Sequence, residues 1–278
     1  MEFTSPAAEQ RYADLVARAD EIVVGLDFDG VLSPIVEDPT QAHIHEDAPQ
    51  VLVDLSDLVL AVAVVTGRPA RQVLALGGLD EVGDAIGDHG KELFVFGQYG
   101  NERWSSTHRR VISPRPPHGL STFERELPAL LRRCQAAEAF VEEKGLAVAV
   151  HTRRLEDANE AYQRLLAPMS ELARSHDLIV EPGRNVIEVR SHGQHKGHAV
   201  QTLVKEQDAG GFLFAGDDLG DIEAFEAVAE LREQGLATLL VCAASDEQSA
   251  LLPLADVVVP GPDGVLDLLR QFTADARD

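Results

Sequence analysis

The stretch Ile22-Val23-Val24-Gly25-Leu26-Asp27-Phe28-Asp29-Gly30-Val31-Leu32-Ser33-Pro34-Ile35 runs from an unbroken apolar segment into two aspartates one residue apart, then a glycine. Side chains alternate along a strand, so residues two apart share a face. A strand that ends at Asp27, followed by a turn, lets both carboxylates converge above one sheet edge. Open α/β sheets place their ligands at that edge. One carboxylate there can attack an electrophile while its neighbour handles protons, and both can help hold a hard cation. Taken alone, the Asp-x-Asp pattern also fits a solvated turn with a helix cap. Three matching elements follow in order along the chain and favour the chemical reading.

The chain has 278 residues, enough for two domains or one large one. Its 45% hydrophobic and 26% charged residues are those of an ordinary globular protein. No apolar stretch spans a bilayer without a charge interrupting it. Met1-Glu2-Phe3-Thr4-Ser5-Pro6 lacks the basic start and apolar core of a signal peptide. Cys134 and Cys242 read as reduced packing residues rather than metal ligands. Together these features predict a soluble cytoplasmic protein with no membrane partner. A net charge of −23 argues against nucleic acid as a partner, because phosphate backbones need a basic face. An anionic substrate would need local positive charge from a metal, Lys or Arg.

Continuous apolar runs separated by helical spacing predict a parallel sheet covered on both faces. Helices are expected over residues 7–19, 49–58 and 70–76, and strands over 22–26, 61–65 and 93–96. Thr66-Gly67-Arg68-Pro69 ends the second strand, and Pro69 suits a first helical turn. The middle differs. Ser113-Pro114-Arg115-Pro116-Pro117 is a stiff linker by composition. Beyond it a helix (121–137), a hairpin (140–151), a long helix (157–175) and a second hairpin (178–190) form an α+β module. The α/β pattern then resumes with a helix from Lys196, a strand over 211–216 delivering Asp217-Asp218, and alternating elements to residue 272. The expected domains are an α/β core of residues 1–108 and 192–278 and an inserted module of residues 109–191.

Four elements mark strand ends or a helix start: Asp27/Asp29, Thr66, Lys196 and Asp217/Asp218/Asp221. Each has a plainer reading. Thr66 can cap the next helix, Lys196 can be a solvated first-turn residue, and Asp217-Asp218 can be helix-start acids. Singly, the plainer readings are the stronger; it is the order of all four that points to a site.

This set resembles the haloacid dehalogenase superfamily of phosphatases, and more closely its trehalose-6-phosphate phosphatase family. Asp27-Phe28-Asp29-Gly30-Val31-Leu32-Ser33-Pro34-Ile35 is similar to the family's opening motif, Thr66-Gly67-Arg68 to its second, and Gly216-Asp217-Asp218-Leu219-Gly220-Asp221 to its last. In the insertion, Glu142-x-Lys144, His151-x-Arg153, and Pro182-Gly183 leading to Glu188 and Lys196-Gly197 carry further likeness. Gly97-Gln98-Tyr99-Gly100-Asn101-Glu102 resembles the family's Gly-rich strand-end segment, with His89-Gly90-Lys91-Glu92 a second match. The chain departs from the pattern at Val31 and Gly220, where the family usually has Thr, and at Ile222, where it usually has Glu.

The resemblance implies a haloacid-dehalogenase-like Rossmannoid core with a parallel sheet and an inserted α+β cap of the C2 type. It implies Asp27 as the nucleophile and Asp29 as the proton donor and then acceptor. Thr66 would hold phosphoryl oxygens, with Gly67, Arg68 and Glu102 beside the substrate, and Lys196 would neutralise charge. Mg²⁺ would be held by Asp27, the Asp29 carbonyl, Asp217 and waters, with Asp218 and Asp221 directly or through water. Charge counting agrees, since two unit charges about 4 Å apart cost roughly 4 kcal/mol at an effective dielectric near 20. Arg68 is open between a phosphate contact and a salt bridge at the sheet edge. In the cap, Glu142, Lys144, His151, Arg153 and Glu188 are read as strand residues that either bind sugar hydroxyls or form cross-strand ion pairs. The resemblance favours sugar binding for Lys144, Arg153 and Glu188, with cap closure excluding water. Glu143, Glu181 and Arg184 read as surface or turn residues. The expected activity is Mg²⁺-dependent hydrolysis of trehalose 6-phosphate. The alternatives are another sugar phosphate, such as sucrose phosphate or a mannosyl phosphoglycerate, and a non-catalytic sugar-phosphate sensor. A synthase partner is not legible in the sequence.

Overall fold

The apolar runs Ile22–Leu26, Ala61–Val65, Leu93–Gly97 and Gly211–Gly216 are strands buried at every position. They lack polar alternation because both sheet faces are covered. Val24, Val62, Val64, Leu93, Val95 and Leu213 point into one apolar cluster, whereas Val23, Ala63, Val65, Phe94, Phe96, Phe212 and Phe214 point into another. The computed structural model describes residues 2–36, 38–183, 185–192, 195–244 and 251–277.

The elements before the insertion are β1 (Glu2–Phe3), α1 (Pro6–Val16), β2 (Ile22–Leu26), α2 (Ala48–Ser56), β3 (Ala61–Val65), α3 (Ala70–Gly77), α4 (Leu79–Asp88), β4 (Leu93–Gly97) and β5 (Glu102–Ser105). The insertion holds α5 (Leu120–Arg133), β6 (Phe140–Glu143), β7 (Ala147–His151), α6 (Ala158–Ser175), β8 (Leu178–Gly183) and β9 (Val186–Ser191). The chain closes with α7 (Lys196–Gln207), β10 (Gly211–Gly216), α8 (Ile222–Glu233), β11 (Ala237–Ala244), β12 (Val257–Pro260) and α9 (Gly261–Asp275). It divides into two compact units, Met1–Ser113 with His195–Asp278, and Pro114–Gln194.

The first unit contains an eight-stranded sheet of order β1-β12-β11-β10-β2-β3-β4-β5. Its inner pairs are parallel, and the edge pairs β1–β12 and β4–β5 are antiparallel. Residues of α1, α2, α3, α4 and α9 fill one face, and those of α7 and α8 fill the other. Both edge strands and α4 differ from the sequence expectation. The two edge strands are short and lack a continuous apolar run, and Gly83 and Gly87 mask the helical stripe Leu79, Val82 and Ile86. His89–Glu92 precedes the start of β4, so it lies at the sheet edge opposite the strand C-termini and is set aside as a site segment.

The second unit is a four-stranded antiparallel sheet, order β6-β7-β9-β8. Val148, Val150, Ile187 and Val189 pack on Phe123 and Leu127 of α5 and on Leu165 and Met169 of α6. The opposite face follows from the register. Glu142, Ala149, Glu188 and Glu181 form one row across it.

Asp256, just before β12, is a buried carboxylate that ties this end of the first unit together. Arg11 reaches it at 2.6 Å and Arg232 at 2.5 Å, and the Leu240 N–H donates to it at 2.9 Å. Removing one member of such a group strands the others, at about 2–4 kcal/mol. Asp256→Ala is expected to lower the thermal midpoint by about 5 °C or more. An unchanged midpoint would show that this network carries no stability.

Candidate active site

The sheet register sets the site. Leu26 of β2 lies level with Ala215 of β10 and Val64 of β3. Asp27, Thr66 and Asp217 therefore leave one edge on three neighbouring strands, and the Asp27 N–H still donates to the Ala215 carbonyl at 2.9 Å. The chain then reverses tightly, with Leu32 and Ser33 N–H groups on the Phe28 carbonyl at 2.9 and 2.8 Å. Gly30 makes this possible. Its φ is +71°, and a Cβ there would sit 2.1 Å from Asp217 Oδ2, so the Asp217 carboxylate rests against bare backbone.

Lys196, at the start of α7 and 3% exposed, lies at the centre. Its Nζ is 2.8 Å from Asp27 Oδ1 and 2.7 Å from Asp221 Oδ1. The Phe28 N–H also donates to Asp27 Oδ1, at 2.7 Å, so these contacts fall on one oxygen and leave Oδ2 without a hydrogen bond from the described residues. Asp221 is fully buried, and its Oδ2 accepts the N–H groups of Asp217 and Asp218 at 3.0 and 3.4 Å. It shapes the acidic turn from within. Asp218 Oδ1 accepts the Gly220 N–H at 2.8 Å, which realises the plainer capping role.

The electrostatics are unbalanced. Burial, then the charges of Asp27, Asp218 and Asp221, push the Asp217 carboxyl up to about 10. Burial also raises Asp27 well above the usual carboxylate range, against the pull of Lys196. For Lys196 burial disfavours the charge, but Asp221 and Asp27 outweigh it and hold the ammonium protonated. Oxygens of Asp27, Asp217 and Asp221 lie within 4.8 Å of one another. A set of hard oxygen donors carrying more negative charge than one lysine offsets fits a divalent cation of the magnesium type.

Asp29 and Arg68 form a separate pair. Arg68 Nε and Nη2 grip the two Asp29 oxygens at 2.7 and 2.6 Å, and Nη1 donates to the Pro39 carbonyl at 2.8 Å. Of the two uses open to Arg68, the structure displays the salt bridge. Thr66 Oγ1 accepts the Arg68 N–H at 3.1 Å, which leaves the hydroxyl proton to donate elsewhere. Glu102, expected beside the substrate, starts β5 and its Oε2 accepts the Ala70 N–H at 2.7 Å, which caps the start of α3.

In the inserted unit, Lys144 meets Glu188 at 2.6 Å and His151 meets Glu142 at 2.9 Å. The cross-strand ion pairs considered above are thus present. Two placements differ from expectation. Lys144 lies just past the end of β6, and Arg153 lies in an exposed turn beyond β7, because each strand stops short of it. Glu181, read as a surface or turn residue, lies on β8 with its side chain partly exposed and pairs with Arg190 at 2.8 Å. Arg184 lies outside the described residues.

Sequence reasoning missed Gln98 and Tyr99 as site-building residues. Both hold left-handed backbone, at φ +47° and +58°. Their N–H groups donate to the Arg68 and Thr66 carbonyls at 2.8 and 3.0 Å, lacing the end of β4 to the Thr66 turn. The flanking glycines Gly97 and Gly100 were the available signal.

The trehalose-phosphatase family profile matches residues 25–257. A Mycobacterium tuberculosis protein described as an uncharacterized glycosyl hydrolase is 33% identical over 81% of the chain, which spans 17% of that protein. Trehalose-phosphate phosphatase B of Arabidopsis thaliana is 28% identical over 84% of the chain, which spans 64% of it. The C-terminal domain of the trehalose-6-phosphate phosphatase of C. albicans shares the fold, with a TM-score of 0.77 at 19% identity over 97% of this chain and 96% of that one. This core with its inserted cap is the haloacid-dehalogenase-like fold expected from the motifs. The profile match across both units, together with the order of the acidic motifs, shows that the chain belongs to the trehalose-phosphatase family.

Proposed function

We propose that the core site hydrolyses trehalose 6-phosphate to trehalose and phosphate through an aspartyl-phosphate. The observation that carries this reading is the buried Lys196 ammonium bridging Asp27 and Asp221 at the sheet edge from which Asp217 also emerges. Asp27 Oδ2 forms a bond to phosphorus as the ester P–O bond breaks, and the departing sugar oxygen takes a proton from Asp29. The Asp29 oxygen that carries this proton must turn from the Arg68 fork at that moment. Water then attacks phosphorus, Asp29 accepts its proton, the Asp27–phosphorus bond breaks and inorganic phosphate leaves. The Thr66 hydroxyl and neighbouring N–H groups hold phosphoryl oxygens, and Lys196 offsets their charge.

Asp27, the Asp29 carbonyl and Asp217 would hold Mg²⁺, with Asp218 and Asp221 supporting the turn. When bound, Mg²⁺ supplies the positive charge that lets these carboxylates share the site with a phosphate dianion. In the cap, the polar sheet face bearing Lys144, Glu188, Glu142 and His151 recognises sugar hydroxyls, with Arg153 at its margin.

A sugar-phosphate panel run with and without Mg²⁺ tests the reading. Mg²⁺-dependent phosphate release is expected fastest from trehalose 6-phosphate. Preference for sucrose phosphate or a mannosyl phosphoglycerate would reassign the sugar, and binding without turnover would make the chain a sensor. Asp27→Asn is expected to lower turnover by more than 1,000-fold while the fold is retained by circular dichroism; appreciable residual activity would remove Asp27 as nucleophile. Glu188→Ala is expected to raise KM for trehalose 6-phosphate about tenfold or more and to leave a small phosphate ester unaffected. Equal effects on both would take Glu188 out of sugar recognition.

The raised Asp217 carboxyl gives a pH signature. A group whose folded pKa lies above its unfolded value contributes fully below the unfolded value and loses that contribution progressively as pH rises from there to the folded value, here about 10. In chelator-treated protein, Asp217→Asn is therefore expected to raise the thermal midpoint over wild type, by a margin that widens from pH 5 to pH 9. A lowered midpoint, or a margin independent of pH, would contradict the charge imbalance at this turn.

A further inference from the structure

In the sheet order β10-β2-β3-β4, strand β2 separates the strand that delivers the Thr66 turn from the strand that delivers the Asp217–Asp221 turn. Sheet hydrogen bonds therefore do not join these two turns directly, although phosphoryl transfer needs oxygens and cation held at one spacing. Tyr99 spans the gap. A Cβ built on Gly67 would lie 2.9 Å from Tyr99 Cζ and 3.0 Å from its hydroxyl oxygen. One built on Gly220 would lie 3.7 Å from Tyr99 Cε1 and 3.1 Å from Asp218 Oδ1. The phenol ring thus leaves the end of β4, passes close over Gly67 and extends toward the acidic turn, where a side chain added at Gly220 would meet it.

The ring is held firmly at its root. Tyr99 and Gln98 occupy consecutive left-handed conformations, which non-glycine residues keep only when their surroundings enforce them. The enforcing contacts are the Gln98 N–H on the Arg68 carbonyl and the Tyr99 N–H on the Thr66 carbonyl, at 2.8 and 3.0 Å. A Cβ on Gly97 would come within 2.4 Å of the Ala70 nitrogen, so the two segments are in direct backbone contact. Strained backbone, bare glycines on both sides and an aromatic wedge all serve one placement.

We propose that Tyr99 is a positioning residue, whose ring fixes the spacing between the phosphoryl-holding turn at Thr66 and the acidic turn at Asp217–Asp221. The inference rests on the phosphatase reading of this site but not on the identity of the sugar. It assigns the work to the ring rather than to the hydroxyl.

The test uses the full chain, p-nitrophenyl phosphate as a sugar-independent ester and orthovanadate as a mimic of the pentacoordinate state, all with Mg²⁺. Tyr99→Asn keeps a side chain that tolerates positive φ, and Tyr99→Phe keeps the ring. Tyr99→Asn is expected to keep or raise the thermal midpoint while lowering kcat and vanadate affinity by about tenfold or more, with a smaller change in KM. Tyr99→Phe is expected to stay within about twofold of wild type. If Tyr99→Asn loses its fold by circular dichroism, Tyr99→Gly, which suits the same φ, is judged by the same criteria. Wild-type kcat and vanadate affinity in the folded ring-less variant would overturn the proposal alone, as would a loss in Tyr99→Phe equal to that in Tyr99→Asn. A wild type that neither turns over any ester nor binds vanadate would overturn the phosphatase reading and this proposal with it.

Discussion

A buried ammonium between two carboxylates holds this site together. Lys196 is 2.8 Å from Asp27 and 2.7 Å from Asp221. An ammonium without partners at that depth would cost several kcal/mol. With them, it fixes the start of α7 against the ends of β2 and β10. Asp221 passes the constraint on, because its second oxygen takes the N–H groups of Asp217 and Asp218 and bends that turn toward Asp27. One ion triad thereby orients the side chains of Asp27, Lys196 and Asp221 and the turn that carries Asp217.

The fold serves the triad through register. Parallel strands buried on both faces cannot slide without exchanging the side chains packed into the two apolar clusters. Asp27, Thr66 and Asp217 are therefore delivered to one edge at fixed levels. The same edge concentrates acidic groups that Lys196 does not fully offset, so their mutual repulsion is of the kind that a bound cation would relieve. Catalytic sites are where such shifted carboxyls gather.

Much of this could be read from residues alone, for identifiable reasons. β2, β3, β4 and β10 announced themselves because strands covered on both faces are uniformly apolar. β1 and β5 did not, because an edge strand such as Glu102-Arg103-Trp104-Ser105 has no reason to be so. The contact among Asp27, Lys196, Asp217 and Asp221 follows from motif order. The division of labour among the acids does not, because spacing is silent about which acceptor meets which donor. Asp29 is gripped by Arg68, Asp218 caps Gly220, and Glu102 caps α3. Tyr99 escaped notice because propensity disfavours an aromatic residue at positive φ; only tertiary contacts hold it there.

The step proposed for Asp27 is acceptance of the phosphoryl group. The most direct measurement is to quench a single turnover with borohydride, which reduces an acyl phosphate, and to map the modified peptide by mass spectrometry. Residue 27 is expected to be converted to homoserine in the presence of Mg²⁺ and trehalose 6-phosphate, and to stay unchanged without substrate. Turnover at full rate with an unmodified residue 27, or modification at another carboxylate, would contradict it.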